Sequence, residues 1–351
     1  MIFSILTALL LLGYCALLTA SYCIEELGLS TNFAPLSDGA AGVPLNADGY
    51  AIVPFGGGAY MVTEGIYQSL ILVSTEGVIL VDSPPTIGHK LQWAIGNITD
   101  LPVKYFIYSH EHADHTGGAF LFMSHPDVIT VAHENTAYVL SYRKDPNRPV
   151  PQITFWDDYT VRLGNQTLQL SWKGPSHTPG NIFIYASAQR VLMLVDTVFP
   201  GWVPFNDFAE SSFIPGWFEA HDYLLEYDFD HYLGGHLGHP GTRQDVQLQR
   251  DYIHDVYNNC VAAINASATN NTVVGEQNLA AKVFANNPGN FWAMFRVYTD
   301  SVSDLCYNMT SKKWLGRLSG QDVYGFSHAT TMVESLRIDW DILGPFAVAP
   351  N

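Results

Sequence analysis

Three histidines and one aspartate lie within six residues, directly after an apolar run at 103–108. They are His110, His112, Asp114 and His115. Neutral imidazole is the commonest metal ligand in proteins, and several imidazoles placed together without a cation would serve little structural purpose. Because side chains alternate along an extended chain, His110 and His112 project to the same side and can hold one ion. Asp114 and His115 lie where the chain turns into a helix, and they can face a second ion.

A site for two ions needs more donors, and three further candidates lie later in the chain. His177 lies in a loop after a strand, Asp196 ends an apolar strand, and His236 lies in a glycine-rich loop. At such positions the backbone can approach an ion closely and side chains converge. His239 is an alternative to His236. Asp82 also ends an apolar strand, but we do not count it among the ligands.

Apolar, β-branched runs separated by glycine indicate the elements that must position these side chains. The predicted strands lie at 50–54, 59–62, 68–74, 77–82, 103–108, 127–132, 159–163, 167–172, 181–186 and 191–195. Helical patterns lie at 91–98, 119–123 and 219–228, and a polar, proline-rich loop lies at 141–152. The order of strand, strand and helix, twice over, predicts two sheets packed face to face with helices outside. From residue 244 onward the chain is predicted to be mostly helical, with a turn at 286–290.

The composition is that of a folded, globular and acidic protein. Of 351 residues, 48% are hydrophobic, and 33 acidic residues against 16 basic ones give a formal net charge of −17. This length allows one large domain or two modest ones. A surface of this charge repels phosphate backbones, so nucleic acid is not an expected partner.

The first 20 residues form an apolar run with small residues at its end, which is typical of a secretory signal. The run has no lysine or arginine before it, and a membrane anchor is the alternative, because roughly 20 apolar residues can span a bilayer. No other stretch of the sequence is long and apolar enough to do so. We therefore expect a protein that is secreted or lies in the lumen of the secretory pathway, with no stable membrane span after signal removal.

Sequons and cysteines agree with a secreted glycoprotein. Five Asn-x-Ser/Thr sequons begin at Asn97, Asn165, Asn265, Asn270 and Asn308. In an oxidising compartment, Cys260 and Cys306 are the favoured disulfide pair, whereas Cys15 would leave with the signal. Because no cysteine lies near the histidine cluster in the sequence, thiolate metal ligands are not expected.

Four short motifs resemble those of the metallo-β-lactamase-fold hydrolase superfamily. They are His-x-His-x-Asp-His at 110–115, Ser-His-Thr-Pro-Gly at 176–180, Leu-Val-Asp at 194–196 and Gly-Gly-His at 234–236. The resemblance implies an α+β fold, a four-layer αββα sandwich with the site at one edge, and here a helical C-terminal extension. The expected organisation is a signal peptide at 1–21, an irregular segment at 22–49, a metallo-β-lactamase-like domain at 50–243 and a mainly helical extension at 244–351.

The resemblance also implies how the ligands divide between two ions. It assigns His110, His112 and His177 to the first metal, Asp114, His115 and His236 to the second, and Asp196 to a bridging position. Nitrogen and oxygen ligands favour two Zn(II) ions, with Fe or Mn as alternatives. An aspartate at position 196 departs from the true β-lactamases with a cysteine ligand, and it resembles the hydrolases of thioesters, lactones and phosphoesters.

Two such cations, about 3.5–4 Å apart, can share a water and lower its pKa to roughly 7, which makes a bridging hydroxide available at neutral pH. Asp114 can orient that hydroxide and then receive a proton, so it is the predicted catalytic residue. The loop after Asp196 is rich in aromatic residues, which favours a small, apolar or aromatic substrate. These residues are Phe199, Trp202, Phe205, Phe208, Phe213 and Trp217.

The sequence therefore predicts a secreted, dinuclear metal-dependent hydrolase that cleaves an ester, lactone, thioester or amide-like bond. One alternative is a mononuclear iron oxygenase of the same fold, which would leave the second ligand set vacant. The other is a non-catalytic binding protein, and the complete set of seven ligands argues against it.

Overall fold

The computed structural model describes residues 30–123 and 127–347. The predicted signal peptide at 1–21 lies outside the described residues. The described residues from Leu36 onward form one compact unit. Up to residue 50 this unit is irregular except for one short 3-10 turn, Asp38–Ala40.

A first sheet of seven strands follows chain order from β1 to β7. Its strands are β1 (Ala51–Gly56), β2 (Ala59–Thr63), β3 (Gln68–Val73), β4 (Val78–Val81), β5 (Val103–Ile107), β6 (Ile129–His133) and β7 (Ile153–Phe155). Strands β1 to β4 are antiparallel neighbours, and β4 to β7 are parallel. The parallel strands point their carboxyl ends to one edge of the sheet, which is where side chains from different connections can meet.

A second sheet of five strands has the order β12-β11-β10-β9-β8. Its strands are β8 (Asp158–Leu163), β9 (Gln166–Ser171), β10 (Phe183–Ala186), β11 (Val191–Met193) and β12 (His231–Leu233). Only β11 and β12 pair in parallel, and the other neighbours are antiparallel. Strands β11 and β12 therefore also share a carboxyl edge.

Helices cover the sheets and form the C-terminal part. They are α1 (His89–Ile98), α2 (Ala113–Thr116), α3 (Glu134–Arg143), α4 (Ile214–Glu226), α5 (Arg243–Ser267), α6 (Glu276–Asn286), α7 (Phe291–Trp314) and α8 (Gln321–Ile338). Two further 3-10 turns are Ala119–Leu121 and Gly344–Phe346. None of the helices in the described part of the chain combines the length and apolar character that a bilayer span requires.

The layers are held by separate apolar cores. Between the sheets, Leu70 of β3 belongs to the same buried cluster as Ile184 of β10. Outside the first sheet, Phe106 packs in a cluster with Leu91 of α1, and outside the second sheet the corresponding cluster contains Leu224 of α4. Each fully buried side chain of this kind stabilises the fold by roughly 1.5–3 kcal/mol. The predicted αββα sandwich is confirmed.

The C-terminal helices have a core of their own, and they confirm the predicted helical extension. Helices α5 to α8 bury an apolar cluster that includes Ile253, Tyr298 and Met332. The predicted disulfide is present and joins Cys260 of α5 to Cys306 of α7. The predicted domain boundaries at 49/50 and 243/244 stay a prediction.

Some elements differ from the sequence prediction. Helix α3 was not predicted, and it takes the first three residues of the predicted loop at 141–152. Its N-cap is His133, whose ring accepts from the amide of Asn135, and histidine is not a usual cap. Strands β7 and β12 were also missed, because their three residues lie in no longer apolar run, whereas the three residues of β11 lie in the run at 191–195.

Candidate metal centre

The candidate site is built at the carboxyl edges of the parallel strands. Strand β4 leads to Asp82, and β5 leads through Ser109 to His110. His112 is the N-cap of α2, and this four-residue helix carries Asp114 and His115. A buried Asp82 carboxylate accepts the amide of Ser109 at 2.9 Å, and this bond fixes the backbone just before the histidines.

The second sheet supplies the other side of the site. Asp196 follows β11, His236 follows β12, and His177 lies in the connection between β9 and β10. Asp196 has a φ of +59°, a left-handed conformation that aspartate tolerates better than most residues. The buried amide of Asn181 donates to the carbonyl of Val195 at 2.9 Å, which ties the His177 loop to the end of β11.

One group of potential ligands contains His110, His112, His177 and Asp196, whose donor atoms lie within 4.8 Å of one another. His177 Nε2 lies 3.1 Å from Asp196 Oδ2 and 3.0 Å from His112 Nδ1. His110 Nε2 lies 3.5 Å from the same Oδ2 atom. Two imidazole nitrogens thus lie within 3.5 Å of one carboxylate oxygen, and His112 adjoins them through His177.

A second group contains Asp114, His115 and His236, and its donor atoms also lie within 4.8 Å of one another. The Nε2 atoms of His115 and His236 are 3.1 Å apart, and Asp114 Oδ2 lies 3.4 Å from the former and 3.7 Å from the latter. Asp196 reaches this group too, with Oδ2 at 3.1 Å from His115 and Oδ1 at 3.0 Å from His236. Asp196 is therefore the one carboxylate that touches both groups.

The buried donor atoms fit a cation. His110 is fully buried, its Nδ1 lies 2.9 Å from Ser109 Oγ, and its Nε2 has no hydrogen-bond partner among the described residues. A buried nitrogen without a partner is costly, and a bound cation would remove that cost. Burial, with the neighbouring His177 and His112, holds the pKa of His110 well below its usual range. The ring is therefore neutral, which is the form that binds metal.

The carboxylates create a demand for positive charge in the same place. Burial alone would raise the pKa of Asp196, but the adjacent His115, His177 and His236 hold it well below its usual range. Burial alone would lower the pKa of His115, but Asp196 and Asp114 raise it to about 9. At neutral pH a proton on His115 therefore balances part of the charge of Asp196 and Asp114, and a bound divalent cation would take the place of that proton.

All seven predicted ligands are brought together, and their role as ligands stays a prediction. The alternative histidine, His239, lies outside both groups, since its ring nitrogens face the carbonyls of Pro240 and Pro200 at 3.1 Å.

Between His110 and His112, the buried Glu111 accepts a hydrogen bond from Thr178 at 3.0 Å. Glu111 thus connects the first ligand segment with the loop that carries His177.

Tyr67 belongs to the site, and the sequence reasoning missed it. Its ring lies 4.5 Å from that of His236 and 5.4 Å from that of His115. Burial, the charge of Asp114 and a hydrogen bond to that carboxylate raise the pKa of Tyr67 to about 12, so its hydroxyl stays protonated and donates to Asp114. A tyrosine at the start of a strand gives no sequence signal of such a contact.

A cavity of about 560 Å³ opens onto both ligand groups. Its walls include three of the six aromatic residues noted after Asp196, namely Phe199, Trp202 and Phe205. Phe208 and Trp217 are instead buried in the core of the C-terminal part, and Phe213 does not line the cavity. Val323 and Tyr324 of α8 complete the wall, so the C-terminal extension reaches the site.

A left-handed turn forms part of the same wall. Asp207, Phe208, Ala209 and Glu210 all have φ between +51° and +60°. Left-handed conformation costs roughly 1–2 kcal/mol for each such residue, so the surroundings must hold it. Ser327 Oγ accepts the amide of Asp207 at 3.1 Å, and Thr331 Oγ1 donates to its carboxylate at 3.0 Å.

The buried His328 of α8 supports the turn from beneath. Its ring stacks on that of Phe208 with centroids 4.7 Å apart. His328 Nε2 donates to the carbonyl of Phe205 at 3.0 Å, and Nδ1 accepts from the hydroxyl of Tyr252 at 2.7 Å. Because burial lowers the pKa of His328 to about 4, the ring stays neutral and keeps both bonds at physiological pH.

Comparison with known proteins places the chain in a family. The family model described as the metallo-beta-lactamase superfamily matches residues 62–253. A 2,4-dinitroanisole O-demethylase subunit alpha from Nocardioides sp. (strain JS1661) is 32% identical over 200 residues, which cover 54% of this chain and 58% of the relative. A type 2 metallo-beta-lactamase from Elizabethkingia meningoseptica is 27% identical over 141 residues, which cover 37% of this chain and 52% of the relative.

The matched region thus spans little more than half the length of these curated relatives. Among solved structures, a metallo-beta-lactamase from Pontibacter korlensis shares the fold, with a TM-score of 0.50 and 21% identity over 57% of this chain and 97% of that one. The family model covers more than half of the chain and includes every residue of the two ligand groups. The chain belongs to the metallo-beta-lactamase superfamily.

Proposed function

We propose that the protein is a dinuclear metal-dependent hydrolase that cleaves an ester, lactone, thioester or amide-like bond of a small substrate. The observation that carries the proposal is the pair of adjacent ligand groups with Asp196 in contact with both. A site for one ion would not need Asp114, His115 and His236 beside the first four ligands. When bound, two divalent cations would lower the pKa of a shared water and polarise the bond to be cleaved.

Asp114 is the group of this chain that we assign to proton transfer. Its side chain is 41% exposed, whereas that of Asp196 is 5% exposed, and Asp114 faces the cavity. It can therefore reach both a water and a leaving group, while Asp196 is enclosed by histidines. The hydroxyl of Tyr67 donates to Asp114 and restricts its orientation. This arrangement supports a general acid–base role for Asp114.

The cavity supports an apolar or aromatic substrate. Phe199, Trp202 and Tyr324 contribute aromatic rings to its largely apolar wall, and aromatic side chains bind flat apolar groups by area and ring contact. The name of the Nocardioides relative, an O-demethylase for 2,4-dinitroanisole, also supports an aromatic substrate. For that reason a second candidate reaction is cleavage of an aryl methyl ether in the same cavity.

We also propose that the protein acts outside the cytosol. Three features support this: the apolar leader at the N-terminus, the disulfide between Cys260 and Cys306, and the exposed position of every sequon asparagine. Disulfides persist in oxidising compartments, and sequons are glycosylated there.

The proposed function is tested by metal analysis and a substrate panel on the protein purified from a secreting host. We expect two divalent metal ions per chain, with Zn(II) favoured. The panel contains an aryl ester, an aryl lactone, a thioester, an anilide and 2,4-dinitroanisole. Hydrolysis of at least one member by the metal-loaded protein, and loss of that activity after chelation, is the expected result.

Other metal contents would favour the alternatives. A single iron per chain with oxygen consumption would favour a mononuclear oxygenase, and absence of bound metal after reconstitution would favour a non-catalytic protein. If the protein turned over 2,4-dinitroanisole but not the esters or lactones, the substrate would be an aryl ether and not an acyl compound. Each of these outcomes contradicts a different part of the proposal.

A further inference from the structure

Glu210 is a carboxylate on the cavity wall that does not belong to either ligand group. It lines the cavity together with Asp114 and Asp196. In the described part of the chain, no lysine or arginine lines this cavity. With a net charge of −17, the whole protein also attracts cations and repels anions. Bound cations would offset Asp114 and Asp196, so Glu210 is the carboxylate of this wall that neither a ligand role nor a lysine or arginine lining the cavity accounts for.

Two aromatic rings line the cavity together with this carboxylate. The ring centroids of Phe205 and Tyr324 are 5.0 Å apart, and both residues line the cavity. Burial and the charge of Glu210 raise the pKa of Tyr324. Aromatic faces attract cations, and a neighbouring carboxylate strengthens that attraction. The three side chains therefore form one surface suited to a positive group.

The backbone holds Glu210 in a fixed and unfavourable conformation. Glu210 has a φ of +53° and is the last of four consecutive left-handed residues. The turn is kept in place by Ser327 and Thr331 of α8, which bond to Asp207. Strained residues persist where the surrounding structure over-determines them, and they cluster at ligand sites. A flexible surface loop would present a glutamate without this strain.

We propose that Glu210, Phe205 and Tyr324 form a subsite that recognises a cationic group, such as a substituted ammonium, on an aromatic substrate. The proposal rests on the proposed function only in that the substrate enters the cavity above the ligand groups. It assigns the charge class of the substrate, which the acyl or ether chemistry of the metal centre leaves open. It also assigns to helix α8 a part in specificity, because α8 supplies Tyr324 and holds the turn.

The test measures binding to the metal-loaded protein by calorimetry, with three phenols that differ only in the para substituent. They are the cationic (4-hydroxyphenyl)trimethylammonium, its neutral isostere 4-tert-butylphenol, and the anionic 4-hydroxybenzoate. We expect the cation to bind about tenfold more tightly than the isostere, which is what one cation–aromatic contact with a carboxylate provides. We expect Glu210→Gln to bind the anion more tightly than the wild type does, because the variant removes a negative charge from the cavity wall.

Glu210→Gln is expected to reduce the preference for the cation to within about twofold, while the affinity for 4-tert-butylphenol stays unchanged. Unchanged binding of the neutral phenol shows that the cavity is intact in this variant. Glu219→Gln is the matched control, because this substitution removes the same charge. Glu219 is exposed on α4 and does not line the cavity. We expect it to keep the tenfold preference.

Equal affinity of the wild type for the cation and its isostere would overturn the subsite. An undiminished preference for the cation in Glu210→Gln would also overturn it. A loss of the preference in both Glu210→Gln and Glu219→Gln would overturn it too, because the preference would then arise from the net charge of the whole protein. Because turnover is not measured, the subsite and the proposed function fail independently. A protein that prefers the cation but hydrolyses no substrate contradicts only the function, and a hydrolase without this preference contradicts only the subsite.

Discussion

Asp114 and Asp196 are chemically identical side chains with different surroundings. Asp196 is buried among three imidazoles, and Asp114 faces the cavity. We expect Asp114→Ala to lower kcat by about 10²–10⁴-fold, the range typical of a general acid–base group. Because the variant leaves all four residues of the first ligand group unchanged, we expect at least that group to keep its metal. Steady-state kinetics with metal analysis of the same sample measures both effects.

Asp100→Ala is the control for this variant, since Asp100 is exposed in the turn between α1 and β5. It removes the same charge and should keep wild-type kcat. Full activity of Asp114→Ala on every substrate that the wild type turns over would remove Asp114 from the mechanism.

Tyr67→Phe separates the hydroxyl of Tyr67 from its ring. The phenyl ring would still pack on His236, but Asp114 would lose its hydrogen-bond donor. A hydrogen bond to a charged group contributes about 1.5–3 kcal/mol, so we expect kcat to fall on the order of tenfold or more. KM and metal content should not change. A rise in KM with constant kcat would instead assign Tyr67 to substrate binding.

At the scale of the elements, the disulfide ties α5 to α7 within the C-terminal part. Cys260 and Cys306 are 46 residues apart in sequence. Closing a loop of that length in the unfolded chain corresponds to about 4 kcal/mol in the chain-entropy model, and measured effects run at about 2–4 kcal/mol. We therefore expect Cys260→Ala with Cys306→Ala to lower the free energy of unfolding by about 2–4 kcal/mol, measured in urea. A change below about 0.5 kcal/mol would contradict this role.

The left-handed turn gives a second prediction at this scale. Ala209 is buried and has a φ of +60°. Glycine adopts this conformation freely and a β-branched residue does not. We expect the free energy of unfolding of Ala209→Val to be at least about 1 kcal/mol lower than that of Ala209→Gly. Thermal or chemical denaturation measures the difference. Equal stability of the two variants would mean that the turn is not left-handed in solution.

These elements also show which parts of the structure a sequence can predict. Ten of the twelve strands in the described part of the chain were recognisable because buried strands are continuous apolar, β-branched runs, such as 68–74 and 191–195. The ligand segments were recognisable because histidine and aspartate cluster at the ends of those runs. Helix α3 was missed because Glu134–Arg143 has polar residues on most sides and no usual cap.

The contribution of α8 to the cavity could not be predicted for a different reason. Tyr324 lies more than a hundred residues after Asp196, and only the packing of α8 against the turn at Asn206–Glu210 brings it to the cavity. The same holds for Tyr67, whose partner Asp114 is on another connection of the sheet. Local pattern contains no information about such pairs, since they depend on how the layers pack.

At the scale of the whole molecule, the predicted metal ligands come from both sheets. His110 and Asp114 follow strand β5 of the first sheet, and Asp196 and His236 follow strands β11 and β12 of the second. A cation held by both sets therefore links the two halves of the sandwich. Since such a site does not exist in the unfolded chain, binding free energy adds to the free energy of unfolding.

We expect chelation to lower the melting temperature of the protein. A metal present at 100 times its dissociation constant stabilises the fold by about 2.7 kcal/mol, and in a chain of this size each kcal/mol shifts Tm by roughly 1–2 °C. Scanning calorimetry with and without a chelator measures the shift, and added Zn(II) should restore the original Tm. His236→Ala removes one predicted ligand that follows the second sheet, so chelation should lower its Tm by less than that of the wild type. Chelation should lower the Tm of Asp100→Ala by as much as that of the wild type. A Tm that does not respond to chelation, with metal content verified before and after, would mean that the cation does not link the sheets.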